Sequence, residues 1–251
     1  MNANLDAILQ DLAAPARVLA FCDETNLTEK PTATLVANLR LQVGIVVSSE
    51  VYGPVAEALG TFLTAHGLPE FHATEVVNPK AGTPWRDVPF ALRLDAFERL
   101  TQALGMAGSR VPYLYLSKQD HDGFVAQCGG LITADYKRSL KTVFLSSMAE
   151  YLAAPTPVLV IDRDKNTPGP VLHPIENAGN LLGGGAISVE SHKVIGLQIA
   201  DMAACAVRRY LLKRDAIYAG NGSPFDEVAA QAVASFEGRF ELLLDAQPLA
   251  A

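Results

Sequence analysis

The sequence predicts an α/β layered domain. Short apolar runs alternate with longer stretches in which apolar residues recur at helical spacing. Two of the short runs, Val18-Leu19-Ala20-Phe21 and Val158-Leu159-Val160-Ile161, stop on carboxylates, Asp23-Glu24 and Asp162. A third acid, Asp201, lies inside an apolar helical stretch, Leu197-Gln198-Ile199-Ala200-Asp201-Met202. In such layered domains ligands bind at strand ends, so these acids mark the place to look for chemistry.

Taken in order, residues 1–16 have Leu5, Ile8, Leu9 and Leu12 on one helical face and form a helical extension. Residues 17–251 form a single domain. The first strand is expected to end at Asp23, with a polar loop over 26–34 containing Pro31. Leu39 to Val47 reads as a second strand, paired to the first. Helical spacing follows over 50–66, until Gly67 and Pro69 end it. Beyond 70–75, a loop runs through Pro79, Pro84 and Pro89 to a helix over 90–106 and a strand from Val111 to Leu116. Gly129-Gly130 precede a long helix over 132–153, with Ile132, Tyr136, Leu140, Val143, Phe144 and Tyr151 on its apolar face. Lys137, Arg138 and Lys141 form a basic stripe on another face. The strand ending at Asp162 leads into a long loop with Gly183-Gly184-Gly185, then a short strand over 186–189. Helices are expected over 195–214 and much of 224–245.

Composition narrows the function classes. Lys and Arg number 20 against 27 Asp and Glu, a net charge of −7, which argues against a broad basic coat for nucleic acid but not against a local groove. Cys22, Cys128 and Cys205 show no paired spacing, the usage of a reducing compartment. No apolar run reaches membrane-spanning length, and no basic segment with an apolar follower opens the chain. A soluble cytoplasmic protein is the expectation.

Acids at the ends of buried strands are costly unless a positive group meets them. Hard carboxylate oxygens suit Mg²⁺ or Mn²⁺, so Asp23, Asp162 and Asp201 are candidate metal ligands. The competing reading makes Asp23 a turn cap and Asp162 a loop acid paired with Arg163 or Lys165. Glu24 joins the same site only if the strand has ended, because adjacent strand residues face opposite ways. Asp164 shares a face with Asp162 if the chain stays extended. His72 and Glu75 are candidate assistants. His66, His121, His173 and His192 have no partner spacing. Arg208 follows Asp201 by about two helical turns and therefore shares its face. With Lys137, Arg138, Lys141 and the adjacent Arg209, it is a candidate phosphate contact. Asp162-Arg163-Asp164 has no matching downstream acid pair for a phosphotransferase, the glycine triplet lacks a P-loop lysine, and no Gly-x-Ser-x-Gly elbow is present.

The motifs together resemble the domain of unknown function 3800 family (DUF3800). Phe21-Cys22-Asp23-Glu24-Thr25 is similar to its strand-end Asp-Glu-Ser signature, with Thr25 keeping the hydroxyl. Phe71-His72-Ala73-Thr74-Glu75 resembles its histidine segment, and Ile161-Asp162 its second strand-end aspartate. Ser191 with Leu197-Gln198-Ile199-Ala200-Asp201-Met202 resembles its C-terminal Gln-x-Ala-Asp helix. The resemblance runs from about residue 18 to 210. It implies a ribonuclease H-like mixed sheet flanked by helices, with added helices. It also implies acids from the first strand, a later strand and a C-terminal helix meeting at one point. In related nucleases such acids hold two metals. The implied activity is a divalent-metal-dependent nuclease (hydrolase) in which Asp23 bridges the metals, Asp162 and Asp201 complete the shell, and Glu24, His72 and Glu75 assist. The alternative is a non-catalytic binding module on the same fold, acting with a protein partner instead of nucleic acid.

Overall fold

A computed structural model describes residues 5–28, 38–128, 135–152, 156–163, 169–218, 220 and 222–243. The predicted mixed α/β sheet flanked by helices is what the chain forms. Helix α1 (Leu5–Gln10) leads into strand β1 (Val18–Thr28), and β2 (Leu39–Ser48) follows. Next come α2 (Ser49–Ala65), α3 (Ala73–Val77), α4 (Phe90–Leu104), β3 (Val111–Ser117), α5 (Lys118–Gln127) and α6 (Tyr136–Tyr151). The C-terminal half holds β4 (Val158–Asp162), β5 (Val171–Pro174), β6 (Gly185–Val189), α7 (Ile195–Tyr218), α8 (Pro224–Phe236) and β7 (Phe240–Leu242).

The seven strands lie in the order β5-β6-β4-β1-β2-β3-β7. β2 lies between β1 and β3 and is antiparallel to both, while β4 runs parallel to β1 and β6 parallel to β4. Alternation along β1 divides the sheet faces. Leu19 and Phe21 enter the core beneath α7, together with α2, α4 and α8. Ala20 and Cys22 enter a second core beneath α6, with Leu140, Phe144 and Met148. Asp23 therefore falls on the α7 face and Glu24 on the α6 face.

Several expectations need correction. β1 does not end at Asp23; it pairs with β2 as far as Thr28↔Leu39. Its parallel pairing to β4 does stop early, at Cys22↔Ile161. Asp23 is thus mid-strand on one flank and at a strand end on the other. The polar residues of 26–28 are strand, and the rest of the expected loop lies outside the described residues, as do Gly129, Gly130, Ile132 and Asp164. Val143 is 44% exposed and not part of the apolar face of α6. The stretches read as loop contain α3 and β5, α5 was not foreseen, and the last helix stops at Phe236, followed by the short strand β7.

Helix α7 sits unusually close to β1. A Cβ on Gly196 would stand 2.4 Å from the Phe21 ring, so only glycine admits this approach. The Gly196 N–H also donates to the Tyr52 hydroxyl at 3.2 Å. From Gly196 to Asp201 the helix rises about 7.5 Å. From Phe21 to Asp23 the strand advances about 6.6 Å. The close contact at Phe21 therefore sets Asp201 over Asp23.

Candidate functional site

β1, β4 and α7 set Asp23, Asp162 and Asp201 around one cleft. Asp23 and Asp201 stand close enough for their charges to interact. Burial raises the proton affinity of Asp23 well above the ordinary carboxylate range, and the charges of Asp201, Asp162 and Glu24 add to it. Asp201 is raised by burial too, against the opposing pull of His72, the Ala73 N–H and Asp23. Asp162 is raised chiefly by burial, and Glu70 adds to that. The backbone N–H groups of Arg163 and Ser191 and the Lys141 ammonium act the other way.

α7 fixes the entrance to this cluster with two side chains one turn apart. The Gln198 carbonyl accepts the Phe71 N–H at 2.9 Å, and the Asp201 carboxyl accepts the Ala73 N–H at 2.8 Å. The Gln198 amide donates in turn to the Ser191 carbonyl at 3.0 Å. These bonds pin an extended segment against the helix, so His72 stands between two anchored residues. Its Nδ1 lies 3.6 Å from Asp201 and 3.0 Å from the Thr74 hydroxyl, with nearly half of the side chain exposed.

Sequence reasoning missed Glu70 and undervalued Ser191 and Gln198. The Ser191 hydroxyl donates to the Glu70 carboxylate at 3.1 Å, and the Trp85 indole N–H holds the Glu70 carbonyl at 3.0 Å. Gln198 is buried, and its position three residues before Asp201 was the one legible signal.

Other candidates fall elsewhere. Glu24 turns to the α6 side, where Lys137 meets it at 2.5 Å and the Gln42 amide at 2.9 Å. Glu75 is on α3 and lines neither cleft described below. Arg138 is exposed and lines neither cleft. Arg208 is half-buried on α7 and also outside both. Arg209 is bound to Asp226 at 2.7 Å and to Ser223, which makes it a tie between α7 and the start of α8. Arg163 pairs with Glu190.

Two clefts flank the sheet where β4 stops. On the α7 side a cavity of about 280 Å³ is lined by Asp23, Asp162, Asp201, His72, Thr74 and Gln198, among others. On the α6 side a cavity of about 180 Å³ includes Glu24, Gln42, Lys137, Lys141 and Arg163. Asp23, Glu24 and Asp162 line both.

The donor set is all hard oxygen, the type that Mg²⁺ and Mn²⁺ prefer. Among the described residues, no group of three His, Cys, Asp or Glu side chains already stands in metal-holding geometry. No helix among the described residues is long and apolar enough to cross a membrane.

No protein-family model matches the chain. No curated protein matches it either. Among solved structures the chain is similar to the crystal structure of Bst-RNase HIII in complex with Mn2+, at a TM-score of 0.44 and 13% identity. The match covers 90% of this chain and 64% of that one, so this chain spans less than two thirds of that structure.

Proposed function

We propose that the chain is a divalent-metal-dependent nuclease of the DUF3800 type with a ribonuclease H-like fold, cleaving phosphodiesters at the Asp23, Asp162 and Asp201 cluster. One observation carries this reading: three acids from three separate elements line one cleft, where the charge of Asp162 raises the proton affinity of both Asp23 and Asp201. A fold tolerates such repulsion at a cost, and a cation is the ligand that relieves it.

Asp23, Asp162 and Asp201 would hold Mg²⁺ or Mn²⁺ through their hard carboxylate oxygens. When bound, the ion lowers the pKa of a coordinated water and stabilises the charge that develops on the phosphate and leaving oxygens. The chain's own residues do the rest. Gln198 keeps the 71–73 segment seated, so the entrance holds its shape. His72, exposed at the mouth and close to Asp201, moves protons between the cluster and solvent. Glu70 adds negative charge beside Asp162.

A second reading, a binding module that works with a protein partner, is favoured by one feature. Asp201 already has partners within the protein, the Ala73 N–H at 2.8 Å and His72 at 3.6 Å. The two separate on a single measurement. The nuclease reading expects Mn²⁺ to raise the melting temperature, Asp23→Asn to abolish that rise, and labelled DNA or RNA to be cut only with metal present. No metal-dependent shift and no cleavage of either polymer would leave the binding module.

A further inference from the structure

The α6-side cleft shares Asp23 and Asp162 with the acid cluster and opens on the same rim. Lys137 and Lys141 lie on it one helical turn apart, on the side of the sheet opposite Asp201. Both have partners in the free protein. Lys137 pairs with Glu24, and Lys141 is held in the field of Asp162. The Lys137–Glu24 pair is partly exposed, at 47% and 27%, so it exchanges partners at little cost. Gln42 is buried behind it and steadies Glu24 from beneath.

The rim itself is the point where β4 ends at Asp162 while β1 continues to Thr28. It therefore joins a cleft on one sheet face to a cleft on the other.

We infer that Lys137 and Lys141 form a phosphate subsite for a single-stranded nucleic acid that bends over this rim, with Glu24 occupying Lys137 until the strand arrives. The inference rests on the nuclease reading and names the substrate class of that site. One phosphodiester lies at the acids on the α7 side, and a neighbouring phosphate lies at the lysines on the α6 side. A single strand makes the turn because each of its backbone linkages rotates freely. A duplex stays straight over a persistence length of about 150 bp, so it lies along one face and reaches one cleft. Glu24 acts as a guard rather than as a catalytic acid. Its charge offsets the lysine when no phosphate is present, and it excludes weak anions that cannot outcompete a carboxylate.

The test measures binding of labelled single-stranded DNA, single-stranded RNA and duplexes of the same sequence by fluorescence anisotropy. It uses the full chain with Ca²⁺ in place of Mn²⁺, so that the strand is bound without being cut, at two salt concentrations, with Lys137→Gln, Lys141→Gln and Glu24→Gln beside the parent. Single strands should bind more tightly than duplexes. Each lysine variant should weaken single-strand binding about tenfold and lower the salt slope by about one. Glu24→Gln should strengthen binding severalfold, a direction that a merely structural Glu24 would not produce. Parent binding that neither lysine variant alters overturns the subsite and leaves the nuclease reading standing. Duplexes binding as tightly as single strands overturn the path over the rim. A parent that binds no nucleic acid of either kind overturns both the subsite and the nuclease reading.

Discussion

Asp201 is an acid on a helix whose neighbours Ala200, Met202 and Ala203 are fully buried. That context made it legible in the sequence, and the same logic found Asp23 and Asp162. Glu70 was not legible because its role depends on Ser191, 121 positions away, and on nothing in its own neighbourhood. Glu24 lines both clefts, and its ion pair with Lys137 was not legible because it depends on whether β1 continues, which its own residue type does not decide. The coupled acids have a thermodynamic signature. Asp23 and Asp201 bind protons more tightly folded than unfolded, so the folded state carries more protons and stability falls as pH rises from the ordinary carboxylate range toward the raised values. Below that range the penalty is absent. Asp201→Asn keeps an acceptor for the Ala73 N–H and removes one charge. At neutral pH without metal it should therefore raise stability by about 1 kcal/mol, roughly 2–4 °C in Tm for a chain of this size. At acid pH the gain should vanish. Thermal melts of both proteins across pH check it, and a destabilised variant at neutral pH would make Asp201 a structural partner.

Helix α7 was read correctly as a helix, but its seat on β1 was not readable. Gly196 looked like an ordinary small residue at a helix start, and only the Phe21 ring beneath it explains the choice. Gly196→Ala should cost about 1–3 kcal/mol, since the clash is with a packed ring that has no free direction to move. It should also separate Asp201 from Asp23, so Mn²⁺-induced stabilisation should shrink beyond the loss in baseline Tm. Trimming the ring with Phe21→Leu in the same chain should recover part of both. A Gly196→Ala protein as stable and as metal-responsive as the parent would remove this account of the register. The missed elements share one cause. α5 is weakly apolar and β7 has three residues, so neither carries a periodic signal; each is held by what it packs against.

The alternation of elements announced a layered α/β chain, but not the strand order, because pairing between distant strands leaves no trace in local periodicity. At this scale the charge of −7 and the acid cluster act together. Burial raises the proton affinity of Asp23 and Asp201, so a cation entering the cluster competes with protons and its binding should release them. Calorimetric titration of Mn²⁺ in two buffers of different ionisation enthalpy should give different apparent heats near neutral pH, and the difference should shrink as pH rises. Equal heats in both buffers would mean that the ion binds elsewhere.

The unequal lengths of β1 and β4 also have a kinetic consequence. Residues 19–22 are laced to a neighbour on both flanks, whereas residues 23–28 have a ladder with β2 alone. A ribbon stitched along one edge peels more readily than one stitched along two. The candidate site therefore sits where a rigid seam gives way to a compliant one. Hydrogen exchange should resolve the boundary: amides of 19–22 should open only with global unfolding, and those of 23–28 by a cheaper local route. Uniform protection along the strand would mean that the second half is held as firmly as the first. If the boundary is real, the chain can adjust the position of Asp23 without loosening the core behind it.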